Sequence, residues 1–363
     1  WNGFKYKPDY AGSASPEIIE RLERHIAQAR AREIRVKPLD QAIAEKLVTM
    51  DSMAGPYLAN LPKVVDLDAI RASGLRIGVD AMHGAGAGYL QAALEGGSAA
   101  ITEMRGERNP TFPGMGQPEP IAPNLGPSIE AAQRGEFDVV IANDGDADRL
   151  GLLDERGGFI DTLATFSLLC YGQLEVRGLR GPVVRSITQS AMIDKLCDSY
   201  GVPVHTTEVG FKYLGPVMME TDAIAAGEES GGYAFRGNIP ERDGILSGLL
   251  FLELMVKTGK RPSELVELLH EKVGPHHYDR VDVRLSAGVN PRSPQEIAQA
   301  PPARLGGLPV TEVDTRDGVR FVLEGGFWGL IRFSGTEPLL RVYAEGDSPE
   351  RVKEILAALQ ALV

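Results

Sequence analysis

The 363-residue sequence is poor in the features that mark several large protein classes. Its 2 cysteines are Cys170, in a leucine-rich stretch, and Cys197, in another helical stretch. Isolated thiols make neither a disulfide framework nor a thiolate metal site, and they fit a reducing, cytoplasmic setting. No apolar run reaches the roughly 18 residues that span a bilayer, and the opening WNGFKYKPDY lacks the apolar core of a signal peptide. Basic charge is in deficit, with 38 Lys and Arg against 50 Asp and Glu, a net charge of -12. Such a surface repels nucleic acid and anionic lipid, so any phosphate must be caught by local donors. What remains is an ordinary globular composition, 43% hydrophobic and 24% charged. At about 100 to 200 residues per domain, the length predicts roughly two to four domains.

Residues 1–38 read as a short strand from Phe4 to Pro8 and a helix from Ser15, with Pro16 at the first helical position and Ile18, Ile19, Leu22 and Ile26 on one face. One strand and one helix cannot build a core. Trp1 also stands where an initiator Met would, so these residues are expected to be the remnant of a first domain. From there the pattern alternates: strand LRIGVD (75–80), glycine turn HGAGAG (83–88), a helix, and strand FDVVIAND (137–144). The Pro- and Gly-rich segment 109–124 must be a surface loop. A hairpin (LGLLD, ERGG, FID) leads to a helix over 162–171 and to a second unit: strand 182–187, helix 190–199, strand 202–207. Helices at about 244–257 and 262–273 follow. Beyond Gly274, strands DRVDVRL, VRFVLEG and FWGLIRFS and a closing helix after Asp347 predict a smaller α+β domain. The expected class is α/β, with repeated three-layer α/β/α domains of mixed sheets plus the C-terminal α+β domain. The expected boundaries are 1–38, 39–161 with a metal loop, 162–277 with a sugar loop, and 278–363 with a phosphate loop.

Three segments carry chemistry. In VVIANDGDADRLGLLD an apolar strand delivers Asp144, Asp146 and Asp148 onto a turn at its carboxyl end, where open α/β sheets place ligands. Adjacent carboxylates repel one another without a cation, so the pattern predicts a divalent metal site. An EF-hand is excluded because Arg149 occupies the position of its required glycine. The Asp-x-Asp patterns of phosphatases and nucleotide-sugar transferases leave Asp148 and Arg149 without an obvious use. In AAGEESGGYAFRGNIPERDG, Glu228, Glu229 and Ser230 are suited to share hydrogen bonds with vicinal hydroxyls, and Arg242 is counted with the substrate-binding candidates. Upstream, EVGFKYLG offers Gly210 and Lys212 at a parallel strand end. In IRFSGTEPLLRVYAE, Arg332, Ser334, Gly335 and Thr336 form a loop of donors able to surround a phosphate, with Arg341 returning on the next strand. The HGAGAG turn lacks dinucleotide-binding spacing and reads as tight packing, with His83 structural.

In this order NGFK (2–5), DGDADR (144–149), GEESGG (227–232) and RFSGTEP (332–338) resemble the α-D-phosphohexomutase family, the phosphoglucomutase and phosphomannomutase group. The resemblance covers essentially the whole chain. It implies three related α/β units and a C-terminal domain, each bringing one loop to a central cleft. It also implies an active-site phosphoserine that converts hexose 1-phosphate and 6-phosphate through a 1,6-bisphosphate, with glucose 1,6-bisphosphate as activator. By the same resemblance one Mg²⁺ binds Asp144, Asp146 and Asp148, and Arg149 supports the serine phosphate. Lys5 is the general acid/base, a role that calls for a pKa lowered by its surroundings. Glu228 and Ser230 hold sugar hydroxyls, while Arg332, Ser334, Gly335 and Thr336 hold the phosphate that is not reacting.

One departure is decisive. The Ser-His-Asn-Pro-type segment with the nucleophile should precede NGFK, and the sequence starts at Trp1. Ser13 and Ser15 are the nearest serines, but Ser15-Pro16 is better explained as a helix start. The expectation is a truncated mutase chain, inactive alone, with the missing N-terminal segment as a partner. A noncatalytic sugar-phosphate-binding fragment and a metal-dependent phosphatase using Asp144 are the rival readings. GEESGG with NIPERDG leans toward glucose over mannose, glucosamine or a pentose.

Overall fold

The computed structural model describes residues 4–284, 292–333 and 339–363, so Ser334, Gly335 and Thr336 lie outside the described residues. The first sheet holds β1 (Arg76–Asp80), β2 (Ala100–Met104), β3 (Val139–Asn143), β4 (Leu150–Leu153) and β5 (Phe159–Ile160), in the order β2-β1-β3-β4-β5. β1 is parallel to β2 and β3, whereas β4 runs antiparallel to β3. Every residue of β3 is buried, as expected for a continuous apolar run in a sheet covered on both faces. The second sheet holds β6 (Val183–Ser186), β7 (Val204–Thr207), β8 (Ala225–Gly227) and β9 (Tyr233–Phe235), in the order β7-β6-β8-β9. Its parallel and antiparallel pairings repeat those of β2-β1-β3-β4. The repeat, weak in the residues, is therefore plain in the topology.

A third sheet is wholly antiparallel: β10 (His277–Arg284), β11 (Arg304–Leu305), β12 (Leu308–Asp314), β13 (Val319–Leu323), β14 (Trp328–Phe333) and β15 (Leu339–Gly346), in the order β10-β15-β14-β13-β12-β11. The helix Pro349–Gln360 covers it with Val352, Ile355, Leu356 and Leu359. Both α/β units contribute to one continuous core, from Val79 and Ile141 through Phe166 to Val183 and Leu249, which Trp328 and Tyr343 of the third sheet also enter. The helix Gly244–Thr258 presses close to β3, where a Cβ on Gly248 would lie 2.9 Å from Ile141. Cys170 and Cys197 are buried free thiols. Among the described residues no helix is long and apolar enough to cross a membrane.

Three expectations change. Residues 4–8 are not a strand: they pair with no described strand, and Phe4 is fully exposed. A strand is held by its neighbours, and this segment has none among the described residues. The helix Pro16–Arg30 does form, with Ser15 extended at its N-cap, but it buries no residue. Lys212 lies in the first turn of the helix Phe211–Thr221 and not at a strand end, because Gly210 (φ 124°) turns the chain into the helix after β7. Finally, β2 follows the helix Tyr89–Ala93 as a strand that the sequence pattern does not show; its sequence AITEM has no fully buried residue.

Candidate functional site

The aspartate loop leaves the carboxyl end of β3. Asp144 is buried and accepts the Arg149 backbone N–H at 2.9 Å, which closes the loop on itself. Ala147 takes a left-handed φ of 60° so that the chain can turn. The HGAGAG turn lies against this loop: Ala85 N–H donates to the Gly145 carbonyl at 3.0 Å, and a Cβ on Gly84 would stand 2.7 Å from that oxygen. Its glycines serve close packing, and His83 Nδ1 bonds the Glu107 carbonyl at 2.8 Å.

One carboxylate oxygen from each of Asp144, Asp146 and Asp148 lies within 4.8 Å of the other two, which among the described residues is the one such group able to hold a metal ion. Burial, followed by the charge of Asp148, pushes the Asp144 carboxyl up to about 8. Hard oxygen donors, a buried member and mutual repulsion fit a divalent cation such as Mg²⁺. Lys5 already supplies positive charge there, donating to Asp146 Oδ2 at 2.7 Å and standing 3.9 Å from Asp148 Oδ2. The Asp146 bond raises the Lys5 pKa, contrary to the lowering that an acid/base role calls for. The charges of Asp146 and Asp148 add to that rise.

The second loop meets the first by backbone and side chain. Leu150 N–H donates to the Gly231 carbonyl at 2.9 Å, and Arg149 bridges to Gly232. Glu228, at the end of β8, is 3% exposed, and its Oε1 has no hydrogen-bond partner among the described residues. Burial pushes its pKa up to about 7, against the pull of Arg242. Ser230 Oγ lies 3.5 Å from Glu228 Oε2. The Glu229 carboxylate accepts from Thr188 and its carbonyl from Thr162, while its charge adds to the raised pKa of Glu228. Arg242 Nη2 reaches Asp148 Oδ2 at 2.7 Å and Nη1 stands 3.7 Å from Glu228 Oε2, so it joins the two loops.

Lys212 is not brought into this group: it is exposed, with its ammonium 4.9 Å from the centre of the Tyr213 ring. In the third sheet Arg332 on β14 and Arg341 on β15 are register partners. Sequence reasoning missed Glu119, which pairs with Arg149 Nη1 at 2.9 Å, and Glu241, which Lys7 and Ser13 both contact. It also missed Asp317, which bonds Arg332 Nε at 2.9 Å. None lies in a periodic or repeated pattern. A cavity of about 490 Å³ is lined by Asp161, His270 and His277 among others, and by none of the loop residues named above.

Three family models match in order. They are phosphoglucomutase/phosphomannomutase alpha/beta/alpha domain II over residues 55–158, alpha/beta/alpha domain III over 165–272, and the C-terminal domain over 289–362. A Thermus thermophilus crystal structure, named for phosphomannomutase, is 31% identical with a TM-score of 0.80, over 97% of this chain and 73% of that one. A phosphoglucomutase/phosphomannomutase of Thermococcus kodakarensis is 31% identical over 83% of this chain and 63% of its own length. A phosphoglucosamine mutase of Nautilia profundicola is 26% identical over 99% of this chain and 75% of its own. The chain thus spans 63% of the length of the Thermococcus relative. With these matches and the loops in family order, the chain belongs to the phosphoglucomutase/phosphomannomutase family of α-D-phosphohexomutases.

Proposed function

We propose that this chain carries the sugar-phosphate cleft of a phosphohexomutase that interconverts glucose 1-phosphate and glucose 6-phosphate, with glucose 1,6-bisphosphate as intermediate and activator. The observation that carries this reading is Arg242, which binds Asp148 at 2.7 Å and faces Glu228 at 3.7 Å. One guanidinium thereby unites a cation-binding loop and a hydroxyl-accepting loop in a single cleft. A Mg²⁺ held by Asp144, Asp146 and Asp148 would neutralise charge on a phosphoryl group in transfer.

The chain's own residues supply the rest. Glu228 and Ser230 accept and share hydrogen bonds with vicinal sugar hydroxyls, and the burial of Glu228 strengthens each such bond to it. Gly210 brings its backbone, while Lys212, exposed over the Tyr213 ring, is given no role in the cleft. Arg332 and Arg341, with Ser334, Gly335 and Thr336, hold the phosphate that is not reacting. Arg149 holds the reacting phosphate. Lys5 exchanges a proton with the sugar oxygen once the aspartate charge beside it is neutralised. Ser13 is engaged by Glu241 and Ser15 heads a helix, so neither is proposed as the phosphoryl donor. That role goes to a phosphoserine outside the residues described, and the chain by itself is proposed to bind without turning over. The glucose preference rests on GEESGG together with NIPERDG.

The test is calorimetry of glucose 6-phosphate with Mg²⁺, run beside a coupled assay of glucose 1-phosphate with a trace of the 1,6-bisphosphate. Binding without turnover, and turnover once the upstream phosphoserine segment is supplied, supports the reading. Absence of binding overturns it. Robust turnover by the chain alone sinks the claim that its donor is supplied from elsewhere.

A further inference from the structure

The turn between β12 and β13 reaches out of the C-terminal sheet to the second α/β unit. Gly318 (φ 92°) brings it so close to β14 that a Cβ would lie 2.3 Å from the Ile331 carbonyl, beside Arg332. Within this turn Arg316 donates to the Thr206 carbonyl at the end of β7 and pairs with Asp314. The carboxylate of Asp317 is divided. Oδ1 accepts Arg332 Nε–H at 2.9 Å, and Oδ2 accepts the Val209 backbone N–H at 3.0 Å. Asp317 and Arg332 are 22% and 17% exposed, so this bond is partly shielded from water. Val209 immediately precedes Gly210, whose φ of 124° starts the helix carrying Lys212.

A guanidinium held through Nε has its plane fixed, and its two terminal nitrogens are left to form the fork that matches a phosphate. An arginine without such a bond must lose that rotational freedom when the ligand arrives. We infer that Asp317 is a positioning residue: it orients Arg332 for the phosphate and ties it to the Val209–Gly210 loop beside the sugar pocket. The two ends of a sugar phosphate are then read at a set separation. This inference rests on the proposed phosphate role of Arg332 and goes beyond it, since Asp317 touches no substrate in this reading.

The experiment measures glucose 6-phosphate affinity of the full chain with Mg²⁺ by calorimetry, with thermal melts to check folding. Asp317→Asn keeps the size but weakens the charge-assisted bond, and about tenfold weaker binding is expected. Asp317→Glu should recover most of the loss. In an Arg332→Ala background, itself expected to bind about a hundredfold more weakly, Asp317→Asn should cost nothing further, because the residue acts through the arginine. An equal cost of Asp317→Asn in both backgrounds overturns the inference, as does wild-type affinity in Asp317→Asn when Arg332→Ala is impaired. Wild-type affinity in Arg332→Ala instead overturns the phosphate reading on which it stands. If Asp317→Asn does not fold, Asp317→Ser takes its place and must weaken binding about tenfold in the wild type and not at all beside Arg332→Ala.

Discussion

Arg242 and Asp148 meet at 2.7 Å, Nη2 to Oδ2, with each side chain only 18% exposed. The same guanidinium stands 3.7 Å from Glu228 and 3.6 Å from Glu241. Three carboxylates from different parts of the chain therefore share one largely buried cation. Lys5 approaches Asp148 as well, at 3.9 Å. The cleft is built as a balance of charges that a metal and an anionic ligand can shift.

Asp144 gives the sharpest pH signature. Burial and Asp148 raise its carboxyl from 3.8 to about 8 in the folded chain. A group raised in this way contributes stability that is complete below about pH 4 and is lost as pH rises through 8. In EDTA, the wild type should lose roughly 2–4 kcal/mol relative to Asp144→Asn between pH 5 and pH 8. Urea midpoints at several pH values measure this. Added Mg²⁺ should restore the wild type at pH 8 and do little at pH 5, where the proton occupies the ligand. A wild-type-to-variant difference that stays constant with pH would refute a buried charge at Asp144.

Lys5 and a metal compete for the same oxygens. Its ammonium is 2.7 Å from Asp146, but its side chain is 64% exposed, so solvent screens the pair. Lys5→Gln should tighten Mg²⁺ binding about two- to fivefold by calorimetry at low salt, and the gain should shrink in roughly 0.5 M NaCl. Weaker Mg²⁺ binding in the variant would mean that Lys5 supports the metal site and does not oppose it.

The junction between the C-terminal sheet and the second unit centres on Glu345. It is fully buried and accepts the Ala191 N–H at 2.9 Å, Trp328 Nε1–H at 2.6 Å and the Ser190 hydroxyl. Arg320 covers the same tryptophan, 4.4 Å above its ring. Glu345→Ala leaves three buried donors without an acceptor, and should cost about 3–5 kcal/mol in urea denaturation at pH 7. Glu345→Gln, which still offers an oxygen, should cost less than half of that. A loss under about 1 kcal/mol for the alanine variant would show that water replaces the carboxylate.

The aspartate loop was legible because its carboxylates sit at alternate positions after an unbroken apolar strand, and β3 is indeed buried throughout. The alternation of strands and helices was legible for the same reason: burial on both faces writes a long apolar run. What escaped was made by distant pairing. Lys5 reaches Asp146 across 141 positions, and Asp317 reaches Val209 across 108. Glu119 sits in a Pro- and Gly-rich loop whose composition says only that it is a loop. β2 has no buried residue to announce it, and residues 4–8 have a strand's composition without a neighbouring strand among the described residues.

Glu228 should make sugar binding pH-dependent in a way that separates it from the phosphate. It is 3% exposed, one of its oxygens lacks a partner among the described residues, and burial raises its pKa to about 7. Hydroxyl donors bind the ionised carboxylate more strongly than the protonated one, so glucose 6-phosphate affinity should fall as pH drops below 7. The ligand's own phosphate, with a second pKa of about 6, titrates in the same range and must be subtracted. Glu228→Gln makes that subtraction, because its residual pH dependence contains every titrating group of the site except Glu228, the ligand phosphate and Asp144 included. At pH 8 the variant should bind about ten- to a hundredfold more weakly than the wild type, as expected for losing a charged acceptor, and at pH 6 the gap should narrow. Its Mg²⁺ affinity should be unchanged, since Asp144, Asp146 and Asp148 keep their positions. A gap that is the same at pH 6 and pH 8 would mean that the carboxylate charge does not read the hydroxyls. A collapse of Mg²⁺ binding would mean that Arg242, released from Glu228, had moved onto the aspartates.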